Sequence, residues 1–133
     1  MNMPAPLEQP GTHPDCARVN EMLGRIGDKW TILAISMLME KPRRFNELKR
    51  LIGGISQQML TRSLRYLERD GLITRKVYGT IPPQVEYSLT SLGHSIAAPM
   101  MQMAAWVITH LPEIEANRAV HDAKASGQEN NPV

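Results

Sequence analysis

The spacing of apolar residues changes period at Gly71, which restricts the chain to folds where a helix leads directly into paired strands. Before Gly71, Leu60, Leu64 and Leu67 fall at i, i+4 and i+7, one stripe of a helix. Ser56 is placed to cap that helix, Ile55 to staple against Leu60, and Gly71 to stop it in the left-handed region. After Gly71 the pattern alternates. Residues 72–78 read as one strand and 85–89 as its partner, and Gly79-Thr80-Ile81-Pro82-Pro83 forms the hairpin tip. Thr90 then caps a long helix carrying Leu92, Ile96, Met100, Met103, Val107 and Leu111 at helical spacing. Pro99 is predicted to interrupt and kink it, because the Ser95 carbonyl loses its donor. Residues 112–123 are expected to add a short final helix, and 124–133 a disordered tail.

Upstream, Pro4, Pro6, Pro10, Gly11 and Pro14 mark residues 1–14 as a flexible arm. Asp15 is predicted to cap a helix over about 16–26, with Val19, Leu23 and Ile26 on one face. Asp28 caps the next, residues 30–40, which aligns Trp30, Leu33, Ile35, Met37 and Leu38 and stops before Pro42. A third short helix over 44–51 turns Phe45, Leu48, Leu51 and Ile52 inward, and Gly53-Gly54 makes a turn before Ser56. With 133 residues, 42% of them hydrophobic, there is room for one domain and a real core, expected over 15–123. The expected fold is mainly α with a small β-hairpin: a winged helix-turn-helix with N- and C-terminal dimerisation helices.

A net charge of +2 conceals a strong asymmetry. Residues 41–80 hold ten of the fifteen Lys and Arg but only three of the thirteen Asp and Glu, while both flanks are acidic. Solubility alone requires no such clustering, and a polyanionic partner accounts for it. The polar face of the helix after Ser56 carries Gln57, Gln58, Thr61, Arg62, Arg65 and Arg69. Arg matches guanine and Gln matches adenine in the major groove of double-stranded DNA, so Gln57, Gln58, Thr61, Arg62 and Arg65 are the candidate base readers. Arg44, Lys49, Arg75 and Lys76 suit phosphates, which give affinity and register. Taken alone, the helix is an ordinary amphipathic surface helix; together with the basic hairpin it reads as a DNA-binding device. The alternative is a winged-helix protein-interaction module that does not read DNA, whose docking helix would more often be apolar.

One short reading helix covers only a few base pairs. The apolar face of the last long helix, with Trp106 and the first helix, is therefore expected to form a two-fold homodimer interface. That predicts a palindromic operator with half-sites about one helical turn, roughly 34–36 Å, apart.

Other chemistries find little support. Cys16 is the only cysteine, so no intrachain disulfide forms and no zinc site can draw on a second thiolate. His13, His94, His110 and His121 stand at unrelated spacings, and no metal or cofactor is expected. No phosphate-binding glycine loop or nucleophile elbow occurs, so the chain is not read as an enzyme. The first ten residues lack a basic region followed by an apolar run, and no stretch approaches the ~18 apolar residues of a membrane span; a cytoplasmic location is expected. Cys16 itself reads two ways. At a helix start the dipole favours a thiolate, as do Arg18 and a protonated His13, while Asp15 opposes it. The plain alternative is an unreactive packing residue.

Several blocks carry a family resemblance: Ile26-Gly27-Asp28-Lys29-Trp30-Thr31, Arg44-Phe45-Asn46-Glu47-Leu48 and Ile55-Ser56-Gln57-Gln58-Met59-Leu60-Thr61. Leu64-Arg65-Tyr66-Leu67-Glu68-Arg69-Asp70-Gly71-Leu72, Pro82-Pro83-Gln84-Val85-Glu86-Tyr87-Ser88-Leu89-Thr90 and Trp106 continue it. In unbroken order over roughly residues 16–110, the chain resembles the HxlR-type regulators. The resemblance implies a winged-helix homodimer acting on promoters, often as a repressor. It also implies that Cys16 occupies a position used by some members to respond to electrophiles or oxidants, a possible small-molecule effector class. Three residues depart from the usual pattern: Gly53 and Ala17 where proline is common, and Gln84 where arginine is frequent.

Overall fold

Side chains that satisfy backbone groups set the limits of several elements. The computed structural model describes residues 15–129; the arm expected over 1–14 lies outside the described residues, as do 130–133. Its elements are α1 (Cys16–Ile26), α2 (Lys29–Glu40), β1 (Arg43–Arg44), α3 (Phe45–Ile52), α4 (Gln57–Arg69), β2 (Ile73–Tyr78), β3 (Gln84–Leu89) and α5 (Ser91–Glu129). Asp28 Oδ2 accepts the N–H groups of Trp30 at 3.1 Å and Thr31 at 3.2 Å, capping α2. The Ser56 hydroxyl accepts the Met59 N–H at 3.1 Å and caps α4. Asp15 makes no side-chain cap; its carboxylate pairs with Arg18 instead. Replacing Ser56 by alanine is expected to cost about 1 kcal/mol, because one N–H at the start of α4 loses its acceptor. Thermal denaturation should show the midpoint falling by roughly 3–5 °C.

Residues up to Ala97 form one compact unit. Its buried apolar residues are Ala34, Ile35 and Leu38 from α2, Leu48 from α3, and Leu60, Leu64 and Leu67 from α4. Ile55, Leu72, Ile73, Tyr87 and Ala97 complete the set. The stripe expected on α4 is therefore the stripe that is buried. On α2 the expected alignment is corrected: Thr31, Ala34, Ile35 and Leu38 are buried, at i, i+3, i+4 and i+7, while Trp30, Leu33 and Met37 are half-buried. Ile35 and Leu38 are buried as expected, and the small Thr31 and Ala34 complete the seam where larger side chains were expected. Leu51, expected inward, is exposed, because the covered stripe of α3 runs through Phe45, Leu48 and Ile52. No residue of α1 is buried, and Leu23 is 59% exposed.

Gly53 and Gly54, between α3 and α4, both adopt the left-handed region, with φ of +65° and +69°. Proline, fixed near −65°, cannot take the Gly53 conformation.

The sheet has three antiparallel strands in the order β1-β3-β2, one more than the expected hairpin. Arg43 and Arg44 pair with Tyr87 and Glu86 of β3, while Ile73 to Tyr78 pair with Leu89 to Gln84. Arg43 is buried. Its guanidinium donates to the Met37 carbonyl at 3.0 Å, Glu40 at 2.6 Å and Glu47 at 3.3 Å. One of the ten cations in the basic block thus serves the interior and is withdrawn from any groove.

At the end of the hairpin, Thr90 joins three elements. Its hydroxyl donates to the Gly71 carbonyl at 2.6 Å and accepts the Gly93 N–H at 3.0 Å, while its own N–H donates to the Leu72 carbonyl at 3.0 Å.

Residues from Ala98 form a second unit, helical to Glu129. Pro99 and Pro112 both lie inside one continuous helix, where an interruption and a separate short helix were expected. The tail expected to be disordered from residue 124 is helical as far as Glu129. This unit exposes Met103, Trp106, Val107, Ile108 and Leu111. Trp106 stacks on His110 with ring centroids 4.4 Å apart. Among the described residues no helix is long and apolar enough to cross a membrane, and no cluster of His, Cys, Asp or Glu is arranged to hold a metal ion.

Candidate nucleic-acid interface

Burying Leu60, Leu64 and Leu67 commits one side of α4 to the core and leaves the opposite side to solvent. That outer side assembles Gln57, Gln58, Thr61, Arg62 and Arg65, the five sequence-predicted readers, around a single concave surface that also takes in Arg69. Gln57, Gln58, Arg62, Arg65 and Arg69 are exposed and Thr61 is half-buried. The Thr61 hydroxyl donates to the Gln57 carbonyl at 2.8 Å. Its proton is therefore spent within the helix, leaving lone pairs and a methyl group for a base. No acid stands among the residues lining this surface.

Arg62 rests with its guanidinium carbon 5.7 Å from the centre of the Tyr66 ring. Arg25 of α1 approaches the same ring at 4.5 Å, and donates to Glu21 at 2.8 Å and to both carboxylate oxygens of Asp70 at 3.1 and 3.3 Å. α1 is thereby tied to the last turn of α4. This cluster was invisible to sequence reasoning, since Arg25 and Asp70 lie 45 residues apart.

The predicted phosphate-binding residues fall into separate groups. Arg44, exposed at the end of β1, lines a concavity with Arg50 and with Pro83 and Gln84 of the wing. Arg50 was absent from the sequence-predicted set, although its place in the basic block was a signal. Lys49 is exposed on α3. Arg75 and Lys76 are exposed neighbours on β2 and point to opposite faces of the ribbon, so they do not act as one patch. Lys76 stands opposite Glu86, whose carboxylate accepts the Tyr78 hydroxyl at 3.0 Å. Cys16, the sensing candidate, lies apart from all of these at the start of α1. It is half-buried, and its Sγ accepts from Asn20 Nδ2 at 3.5 Å.

Comparison with known proteins agrees with this architecture. A family model described as HxlR-like helix-turn-helix matches residues 25–115. The HTH-type transcriptional regulator YtfH of Escherichia coli (strain K12), itself uncharacterized, is 41% identical over 106 residues, covering 80% of this chain and 82% of YtfH. The solved structure of ytfH from Salmonella typhimurium shares 38% identity with a TM-score of 0.72, over 76% of this chain and 90% of the other. The redox regulator HypR in its reduced form shares 38% identity with a TM-score of 0.69, over 74% of this chain and 98% of HypR. The resemblance in the sequence blocks and the winged fold built from them point the same way: the chain belongs to the HxlR-like helix-turn-helix family.

Proposed function

We propose that this chain is a transcriptional regulator that reads duplex DNA as a homodimer, with α4 in the major groove and the β2–β3 hairpin as the wing. One observation carries the reading: the concave surface on the outer side of α4 is lined by two glutamines and three arginines and by no acid, the exposed Glu68 lying outside that lining. A helix built to dock on a protein would more often present an apolar stripe there, and Met59 is the one large apolar side chain on that surface. The relatives' description as HTH-type transcriptional regulators supports the same assignment. Selection from a random duplex library, followed by anisotropy titration at two salt concentrations, tests it. An operator with two-fold symmetry is expected, and failure to bind any duplex at low salt would sink the proposal.

The wing supplies affinity more than sequence information. Lys76→Ala is expected to weaken selected and unrelated duplexes by the same factor and to lower the salt-dependence slope by about one. Titrations of both duplexes across a salt series measure this.

Dimerisation uses the exposed apolar residues of α5, Met103, Trp106, Val107 and Leu111 among them, together with the uncovered face of α1. A monomer mass by light scattering at micromolar concentration would contradict it. The regulator acts as a repressor, which a reporter assay on the selected operator checks by loss of expression.

Cys16 makes the dimer responsive to oxidants, a reading supported by the similarity to HypR, described as a redox regulator. With one cysteine per chain, oxidation joins two Cys16 thiols between subunits or forms a mixed disulfide with a small thiol. Diamide accepts the two electrons and two protons released. Wild-type protein treated with diamide is expected to lose operator affinity and Cys16→Ser to keep it; equal responses would reduce Cys16 to a packing residue.

A further inference from the structure

Between α1, the first turn of α2 and α4 lies a cavity of about 410 Å³, within the ~300–1,000 Å³ range of small-molecule sites. Its apolar walls include Met22, Ile26, Trp30, Met59 and Leu72. The charged groups around it are mostly committed already. Glu21 and Asp70 are held by Arg25, and Asp28 accepts the N–H groups at the start of α2. Arg62 differs. Among the described residues it makes no ion pair, and it lies beside the Tyr66 ring, a contact it can exchange for a carboxylate.

We propose that this cavity binds a small organic acid, its apolar or planar body against Met22, Ile26 and Trp30 and its anionic group on Arg62. Arg62 and Met59 border both this cavity and the outer concave surface of α4. An acid bound in the cavity holds the Arg62 guanidinium away from a base edge, so ligand and DNA compete for one side chain. The coupling to DNA rests on α4 being the reading helix; the binding of the acid does not.

Titration calorimetry of the full-length protein with 2-naphthoate and its neutral isostere 2-naphthamide tests the site. One naphthoate per subunit is expected, with the acid at least about tenfold tighter than the amide because only the acid forms a charge-assisted pair. Arg62→Gln should erase that preference. In a Trp106→Phe variant, Trp30 is the sole tryptophan, and its emission should change on binding. Equal binding of acid and amide, a preference that survives Arg62→Gln, or an unmoved Trp30 emission would each overturn the site. Saturating naphthoate is further expected to weaken selected-duplex binding by wild type, and unchanged duplex affinity overturns the coupling. If the protein binds no duplex at all, the proposed function fails while calorimetry still decides the cavity.

Discussion

Gly93→Ala is expected to destabilise the fold by roughly 3 kcal/mol or more, with a fall in thermal midpoint of about 10 °C or more. A Cβ at this position would lie 2.1 Å from the Leu72 carbonyl oxygen and 2.9 Å from a Leu89 methyl. The methyl can rotate aside, but the carbonyl cannot move without loss. It accepts the Thr90 N–H, and Thr90 also caps α5 and bonds to Gly71. Relief of the clash therefore breaks the joint among helix α4, the sheet and α5. Gly24 supplies an internal control, since nothing lies within 4 Å of a Cβ built there and it sits inside α1. Gly24→Ala should stabilise by about 0.5–1 kcal/mol, through helix propensity and a less free unfolded chain. Urea and thermal denaturation of both variants measure the pair. A neutral effect at Gly93 would mean that α5 does not approach the hairpin this closely.

Opposite signs for one substitution at two glycines illustrate what the sequence could convey. Both positions read as glycine within a helical pattern, and only the fold brings a carbonyl against one of them. The elements read correctly are those specified by neighbouring residues: α4 by Ser56, its leucine stripe and Gly71, and β2 and β3 by alternation about a short tip. β1 escaped notice because two residues carry no period, and its partner Tyr87 lies more than forty residues away. The burial of Arg43 is likewise set by packing between α2, α3 and β3, so a count of cations overstated the charge available to a groove. On α1, periodicity identified an apolar face but not what covers it, and Leu23 is left exposed. In α5 Pro99 reads as a break. It removes one N–H donor and crowds one carbonyl, and helix-forming residues such as Met, Gln and Ala resume the pattern after it. The candidate readers were legible as a set because they are the complement of the leucine stripe. The link from Arg25 through Asp70 and Tyr66 to Arg62 was not, since it depends on how α1 lies against α4.

The Arg62→Ala/Arg65→Ala double variant is expected to lose sequence discrimination on the order of 10²–10³-fold, each bidentate arginine–guanine contact contributing ~1–3 kcal/mol. The two positions are one turn apart on the exposed side of α4, so their effects need not add fully. Loss of charge alone would also weaken binding, but to every duplex equally, because counterion release does not depend on base sequence. Lysine separates the two contributions. Arg62→Lys/Arg65→Lys keeps both charges and removes the planar fork that matches guanine O6 and N7. This variant should retain the salt slope and much of the affinity for unrelated duplexes, while its preference for the selected operator collapses. Arg62 must also leave the Tyr66 ring to reach a base, a contact worth about 0.5–1 kcal/mol at an exposed site. Tyr66→Leu should therefore strengthen operator binding by up to severalfold, provided α4 keeps its place, which an unchanged salt slope would indicate. Anisotropy titrations of selected and scrambled duplexes over a salt series read all three quantities. If the lysine variant kept full discrimination, Arg62 and Arg65 would be phosphate contacts, and the reading would pass to Gln57, Gln58 and Thr61 at the first turns of α4.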